Sequence, residues 1–193
     1  ENVQVGFEDQ PGFSKDPEIE AVREARAIGA SCGAIQIWSL YVPNGRDLAD
    51  PHYTYKLEWL AKLRADAQAW LTADPQAQIA LVGDWNIAPT DDDVWDPALF
   101  EGKTHTSQPE RDAFASFEEI GFSELTRQFT PEPRTFTYWD YTQLRFPKKQ
   151  GLRIDMALTS PALTPRVSGA SIDREERKGK GASDHAPVIV EIS

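Results

Sequence analysis

Gly83-Asp84-Trp85-Asn86 follows directly on the apolar run Ile79–Val82, which places two short polar side chains at the rim of a sheet. Loops at strand ends are where folds tend to carry catalytic groups. The same four residues also suit a turn in which Asp and Asn bond their own backbone, and spacing alone does not choose. Asp155 lies within Arg153–Leu158, which is otherwise apolar around it. A buried carboxylate costs several kcal/mol unless it is paired, so Asp155 needs a partner. A histidine is a natural one, because a carboxylate fixes the imidazole tautomer and raises its basicity. The chain has 3 histidines. His52 and His105 lie in polar, loop-like stretches and read as solvated residues. His185 follows Ser183-Asp184 and immediately precedes an apolar closing segment. An Asp-His pair there serves acid–base work or metal binding, or is a capping Asp beside a surface His. Tyr41 ends an apolar segment just before Pro43-Asn44-Gly45, as a core-rim tyrosine or as a donor to a substrate. Phe136, Tyr138, Trp139 and Tyr141 suit either a core or a stacking platform for a sugar or base.

The elements that must position these groups are legible in outline. Residues 33–42 and 78–83 are β-rich and apolar on both faces, and read as buried strands. Residues 53–73 carry a broad apolar stripe at helical spacing, with Lys56, Lys62, Arg64 and Asp66 available for the wet face, and Asp74-Pro75 stops them. A second helix is expected at 109–120, from Pro109 to just before Gly121. Residues 135–141, 153–159 and 187–192 read as strands. Strands apolar on both sides need a layer above and below, which favours stacked sheets flanked by helices.

The chain has 193 residues, 40% hydrophobic and 26% charged, enough for one domain spanning 1–193 with a real core. This composition excludes disorder, a collagen-like chain and a small disulfide scaffold. Cys32 is the single cysteine, so an internal disulfide and a Cys-based zinc site are excluded. No apolar run approaches the ~20 residues of a bilayer span, and no secretory leader opens the sequence. The expectation is a cytoplasmic protein with no membrane partner. Glu1 stands where a Met would begin a complete chain, which fits processing or a fragment. The net charge of −11 argues against a generic polyanion binder, but its distribution is uneven. Residues 1–133 hold 10 basic and 24 acidic side chains, whereas residues 134–193 hold 10 basic and 7 acidic. A phosphate-bearing partner would meet the last third of the chain.

Four segments together resemble the exonuclease III family of apurinic/apyrimidinic endonucleases: Leu40–Gly45, Gly83–Thr90, Gly151–Asp155 and Ser183–Val188, in that order. Gly-Asp-x-Asn and Ser-Asp-His occur across the wider endonuclease/exonuclease/phosphatase superfamily. The Tyr-x-Pro-x-Gly and Gly-Leu-Arg-Ile-Asp segments narrow the resemblance to the exonuclease III branch, and it covers essentially the whole chain. It implies a four-layer α-β-β-α sandwich of the deoxyribonuclease-I type. It also implies that family members carry a further N-terminal portion, with sheet strands, an Asn and a metal-binding Glu. Glu1 and Asn2 do not sit in those motifs, so the expectation is a chain without its N-terminal strands.

The implied chemistry is metal-dependent hydrolysis of a phosphodiester beside an abasic sugar, with possible roles as a 3′-5′ exonuclease and a 3′-phosphatase. Mg²⁺ (or Mn²⁺) is the implied cofactor, held by Asp184 with Asp84, Asn86 and His185 nearby. The resemblance makes Asp84 the group that orients or deprotonates water, and Asn86 the group that holds Asp84 or a phosphate oxygen. His185, paired with Asp155, contacts the phosphate, and Tyr41 donates to it. The general base stays open between Asp84 and the His185–Asp155 pair. Tyr138, Trp139, Leu152 and Ile154 match the family's pocket for a flipped-out sugar. Strand alternation puts Arg153 on the face of Asp155, free to pair with a carboxylate there. Arg145, Lys148, Lys149, Arg174, Arg177, Lys178 and Lys180 would meet DNA phosphates. The implied partner is double-stranded DNA with abasic sites or 3′ ends, bound by a monomer in a nucleoid-associated setting. The alternatives are another phosphoesterase of the superfamily, acting on a phosphoinositide, a phospholipid or unspecific DNA, and a truncated, non-catalytic DNA-binding module.

Overall fold

The computed structural model describes residues 1–16 and 18–193. Its centre is a six-stranded sheet. In spatial order the strands are β1 (Gln4–Val5), β2 (Ala27–Cys32), β3 (Ile35–Tyr41), β4 (Gln78–Asp84), β6 (Asp155–Thr159) and β5 (Ser123–Glu124). β7 (Val167–Ile172) and β8 (Val188–Ile192) form a separate antiparallel pair. The helices are α1 (Pro51–Ala73), α2 (Gln108–Glu119) and the short α3 (Thr126–Phe129).

β3 and β4 run parallel, so the chain must cross over between them, and α1 is that crossover. Asp50 caps α1, its side chain accepting from the His52 backbone N–H, and Pro51 opens the first turn. Tyr55, Trp59, Leu63 and Ala67 recur every four residues and are buried against the sheet. Trp38 of β3 stacks on Trp70 of α1 with centroids 5.0 Å apart. α2 is capped by Ser107 and Glu110 in reciprocal bonds, and Phe114 and Phe117 pack edge-on against Trp85.

The two faces of the large sheet divide cleanly. Trp38, Leu40, Ile79, Leu81, Met156 and Leu158 point to the helices and form the main core. Ile37, Ala80, Val82 and Ala157 point the other way and line a cleft of about 400 Å³, closed opposite by Val188, Val190 and Ile192 of β8. The layers are therefore helices, large sheet and smaller sheet, the α/β sandwich order expected from strands apolar on both faces. Among the described residues, no helix is long and apolar enough to cross a membrane.

Residues 135–141 differ from the strand expected there. They are irregular, with single bridges from Tyr138 to Leu152 on one side and to His185 on the other. The segment changes partner within one residue, so no ladder can extend. The strand expected over 153–159 starts at Asp155, because Arg153 and Ile154 bond instead to Asp93, Thr137 and Trp85.

Gly83 has φ +132, and a Cβ there would lie 2.1 Å from the carbonyl oxygen of Leu40 in the paired strand. Neither backbone can retreat without opening the β3–β4 ladder. Gly83→Ala is expected to cost about 2 kcal/mol or more, read as a lowered urea midpoint. A midpoint equal to the parent's would show that the close approach carries no constraint.

Candidate active site

Lateral pairing builds the site. Tyr41 is opposite Asp84 in the β3–β4 register, and Asp84 is opposite Asp155 in the β4–β6 register. Paired residues project from the same face, so Tyr41, Asp84 and Asp155 form one row at the end of the inter-sheet cleft. His185 reaches this row from just before β8. Its Nδ1 lies 2.8 Å from Asp155 Oδ2, which supplies the partner that a carboxylate in an apolar strand requires. The ring rests 4.9 Å from that of Tyr138. Thr137 Oγ1 accepts from the backbone N–H groups of both Ile154 and Asp155, fixing where Asp155 starts.

Asn86 orients Asp84. Its backbone N–H donates to Asp84 Oδ1 (2.8 Å), and its Nδ2 donates to Asp84 Oδ2 (3.1 Å) and to the Val42 carbonyl (2.9 Å). Its Oδ1 accepts from Asn44 Nδ2 at 3.1 Å. Asn86 adopts φ +52, and the carbonyl that this conformation turns inward accepts from Lys56 Nζ and from His105 Nδ1, both at 2.6 Å. Lys56 also pairs with Glu110, and both are fully buried. Glu110 accepts further bonds from Thr104, Ser107 and the His105 backbone.

These surroundings set the charges. Burial, and then the nearby charge of Asp155, push the Asp84 carboxyl up to about 7, against the pull of His185, Asn86 and Lys56. Burial works against a charged His185. The hydrogen bond to Asp155 and the charges of Asp155, Asp84 and Asp184 outweigh it and raise the imidazole above its ordinary value. Burial, then the charge of Lys56, lower His105 to about 4, so it is a neutral donor through Nδ1. Burial also raises the Tyr138 phenol to about 12, helped by Asp140 and Asp184.

Tyr41, Asp84, Asn86, Asp155 and His185 thus come together, with Asp184 beside them through its carbonyl bond from Trp139 N–H (2.9 Å). Tyr41 is 52% exposed, with the Arg26 guanidinium 5.0 Å from its ring centre. Tyr138 is half-buried and borders a recess of about 220 Å³ with Leu152, His105 and Arg145. Lys148 and Lys149 are exposed.

Several expectations need correction. Trp139, Leu152, Arg153 and Ile154 are 2–4% exposed, so they support the site from within and offer almost no surface to a substrate. Trp139 packs on Phe136 and Phe146. Leu152 and Ile154 pack on Ala88 and Val94. Arg153 pairs with Asp93 and Glu124, not with a site carboxylate. His52 and His105 are not solvated: His52 is buried against Asp50, and His105 is bonded behind Asn86. Lys56 does not face water. It occupies the core stripe with Leu60, Leu63 and Ala67, and that spacing was the available signal. Asn44 was passed over inside a loop signal, although it lies beside Tyr41 in the same short segment.

Similarity to known proteins decides the family. The Endonuclease/Exonuclease/phosphatase family model matches residues 16–185. The chain belongs to that family, in its exonuclease III branch. It is 30% identical to exodeoxyribonuclease III of Haemophilus influenzae, over 94% of this chain and 70% of that protein. A Neisseria 3′ phosphatase solved with a product DNA hairpin superposes with a TM-score of 0.88 at 32% identity, covering 100% of this chain and 70% of its own. An AP endonuclease from Archaeoglobus fulgidus superposes at 0.84 and 28% identity, with the same coverage. By name these relatives are an exodeoxyribonuclease, a 3′ phosphatase and an AP endonuclease, all hydrolytic enzymes, and the exonuclease III-type chain shares their α/β fold.

Two outcomes are expected. Asp84 binds a proton more readily folded than unfolded, so its penalty is full above pH 7 and vanishes below pH 4. Asp84→Asn, measured in EDTA, should gain on the order of 1 kcal/mol over the parent at pH 8. That gain should shrink steadily towards pH 5; a gain independent of pH would remove the carboxylate penalty as its source. Lys56→Met leaves Glu110 buried without its counter-charge and should cost about 3–5 kcal/mol. Lys56→Met/Glu110→Leu should recover part of that loss in the same chemical melts.

Proposed function

We propose that this chain is a DNA repair hydrolase that attacks phosphate esters at abasic sites and at 3′ ends, using a divalent cation. The observation that carries this reading is the row Tyr41–Asp84–Asp155 with His185 bonded to Asp155. Asp84, with a carboxyl that titrates near neutrality, is suited to accept a proton from the attacking water. The two bonds from Asn86 aim it, which makes Asn86 a positioning residue. His185 donates Nδ1–H to Asp155, which leaves Nε2 to face a phosphate oxygen, and the raised basicity favours the protonated, donating ring. The half-exposed Tyr41 hydroxyl suits donation to the same phosphate or to the leaving oxygen.

The donors fit a hard cation. Asp84, Asp155 and Asp184 put three carboxylates around one imidazole, an excess of negative charge that would otherwise repel a phosphate. Among the described residues, no three His, Cys, Asp or Glu side chains converge as a ready-made cage. Mg²⁺ and Mn²⁺ keep several waters and need few protein carboxylates. Asp184 and Asp84 would hold it, with Asn86 and His185 adjacent. When bound, it would neutralise charge on the non-bridging and leaving oxygens.

A second reading, preference for 3′ phosphates over abasic sites, has a specific basis. His105 walls the small recess beside Tyr138, where a flipped sugar would go, and the Neisseria relative is named a 3′ phosphatase. The test incubates the 193-residue chain and Mg²⁺ with three duplexes: one with a tetrahydrofuran abasic analogue, one with a 3′ phosphate, one intact. Cleavage or dephosphorylation of the first two but not the third is expected, with a loss of ~10²–10⁴-fold in Asp84→Asn. Hydrolysis of a phosphoinositide with no action on any duplex would replace this reading, and DNA binding without hydrolysis in Mg²⁺ or Mn²⁺ would leave a binding module.

A further inference from the structure

A second cationic feature borders the segment that carries Tyr138 and includes no residue of the catalytic row. Arg134, Lys149 and Arg174 surround a recess of about 310 Å³ floored by Phe136, Trp139 and Ile172. Among the described residues, none of these three cations lies within 4.0 Å of a carboxylate oxygen. That is notable in a chain of net charge −11. Asp173 and Glu175, which flank Arg174 in sequence, are already committed: the Asp173 side chain accepts from the Glu175 backbone, and Glu175 pairs with Lys178.

The backbone around the recess is held in unusual conformations. Arg134 and Lys149 have φ +63 and +57, the left-handed region that non-glycine residues rarely adopt. Such strain persists where surrounding structure imposes it, and it clusters at ligand sites. Arg174 is held differently. Its guanidinium stacks 4.2 Å from the Phe146 ring centre and 5.6 Å from that of Trp139. It is thereby pre-ordered with no anion of the protein to meet.

The recess is tied directly to the catalytic row. Trp139 N–H donates to the Asp184 carbonyl, and the Ala186 N–H donates to Thr137. Asp184 and Ala186 flank His185, so the segment lining the recess is held to the catalytic row through its backbone. The lining also matches a sugar–phosphate backbone: cations at the rim for a phosphate, and the half-buried Ile172 side chain for a deoxyribose.

We propose that this recess is an anion subsite for one backbone phosphate of the DNA strand flanking the scissile link. The inference rests on the DNA reading above and adds a specific place where the strand is held. Arg134→Gly/Lys149→Gly tests it, because glycine accepts the left-handed backbone and only the charge and side chain are lost. Arg174→Gln is the second variant, and Lys15→Ala/Lys62→Ala removes two charges elsewhere.

Binding of a fluorescein-labelled duplex with a tetrahydrofuran site is followed by anisotropy in EDTA from 50 to 200 mM NaCl. The recess variants should bind about tenfold more weakly at 50 mM, with a slope of log K against log salt shallower by about 1 to 2. The Lys15/Lys62 variant should keep the parent slope. Recess variants that keep the parent's affinity and slope would overturn the site while leaving the DNA reading intact. A parent chain that binds this duplex without salt dependence would overturn both. Inorganic phosphate binding by the parent that is lost in the double variant, with DNA affinity unchanged, would make the recess a free-phosphate site and also refute the proposal.

Discussion

Asp84 and Asp155 face each other across two paired strands, and neither can move away. The β4–β6 ladder fixes their Cα atoms in register, so the repulsion between them is built in by the backbone. Like charges at such a spacing do not both ionise freely, and burial at Asp84 adds to the cost. Most of the polar structure nearby offsets this one juxtaposition. Asn86 gives Asp84 two hydrogen bonds, His185 takes up Asp155, and Lys56 contributes a more distant positive charge. The core behind the sheet, with Trp38, Trp59 and Trp85 fully buried, supplies the stability that lets the strained arrangement persist.

The Tyr138 segment is what makes one site out of two sheets. Asp155 belongs to the large sheet and His185 leads into the small one, so their contact depends on how the sheets are joined. Tyr138 bridges Leu152 on one side and His185 on the other, and Thr137 bonds to both neighbours as well. Gly151 permits this. A Cβ there would lie 2.6 Å from the Trp139 indole nitrogen and from the Tyr138 carbonyl. The expected strand at 135–141 therefore fails for a functional reason, because a residue that pairs in two directions cannot sit in a continuous ladder.

Much of the framework was legible because periodicity reports burial. The 53–73 stripe became α1, starting two residues earlier at the Asp50–Pro51 cap, and the runs at 78–83 and 187–192 became β4 and β8 within a residue. The Asp155–His185 contact was legible from cost alone, since a carboxylate in an apolar strand needs a partner. The register was not. Nothing in local sequence states that Tyr41, Asp84 and Asp155 fall in one row, because that depends on pairings between segments more than forty residues apart. The buried Lys56–Glu110 pair was hidden for a related reason. A lysine at a core position reads as a surface residue until the carboxylate that neutralises it is found 54 positions away. His105 was misread as solvated because its partner is a backbone carbonyl, which leaves no mark in the sequence.

The basic last third also has to be divided before it can explain recognition of an anion. Arg153 is spent on Asp93 and Glu124, and buried Arg177 on the Trp139 carbonyl and the rings of Tyr141 and Phe146. These two hold the loops in place and are withdrawn from any ligand. The remaining cations are Arg134, Arg145, Lys148, Lys149, Arg166, Arg174, Lys178 and Lys180, more than enough to attract a phosphate backbone locally while the whole chain stays acidic. They cannot neutralise the reaction centre, because the row of carboxylates holds a single imidazole as its positive group. Attraction and catalysis are thus electrostatically separate. On the proposed reading, the flanking cations would draw a phosphate backbone in, and the centre would need a cation or a proton to offset its charge.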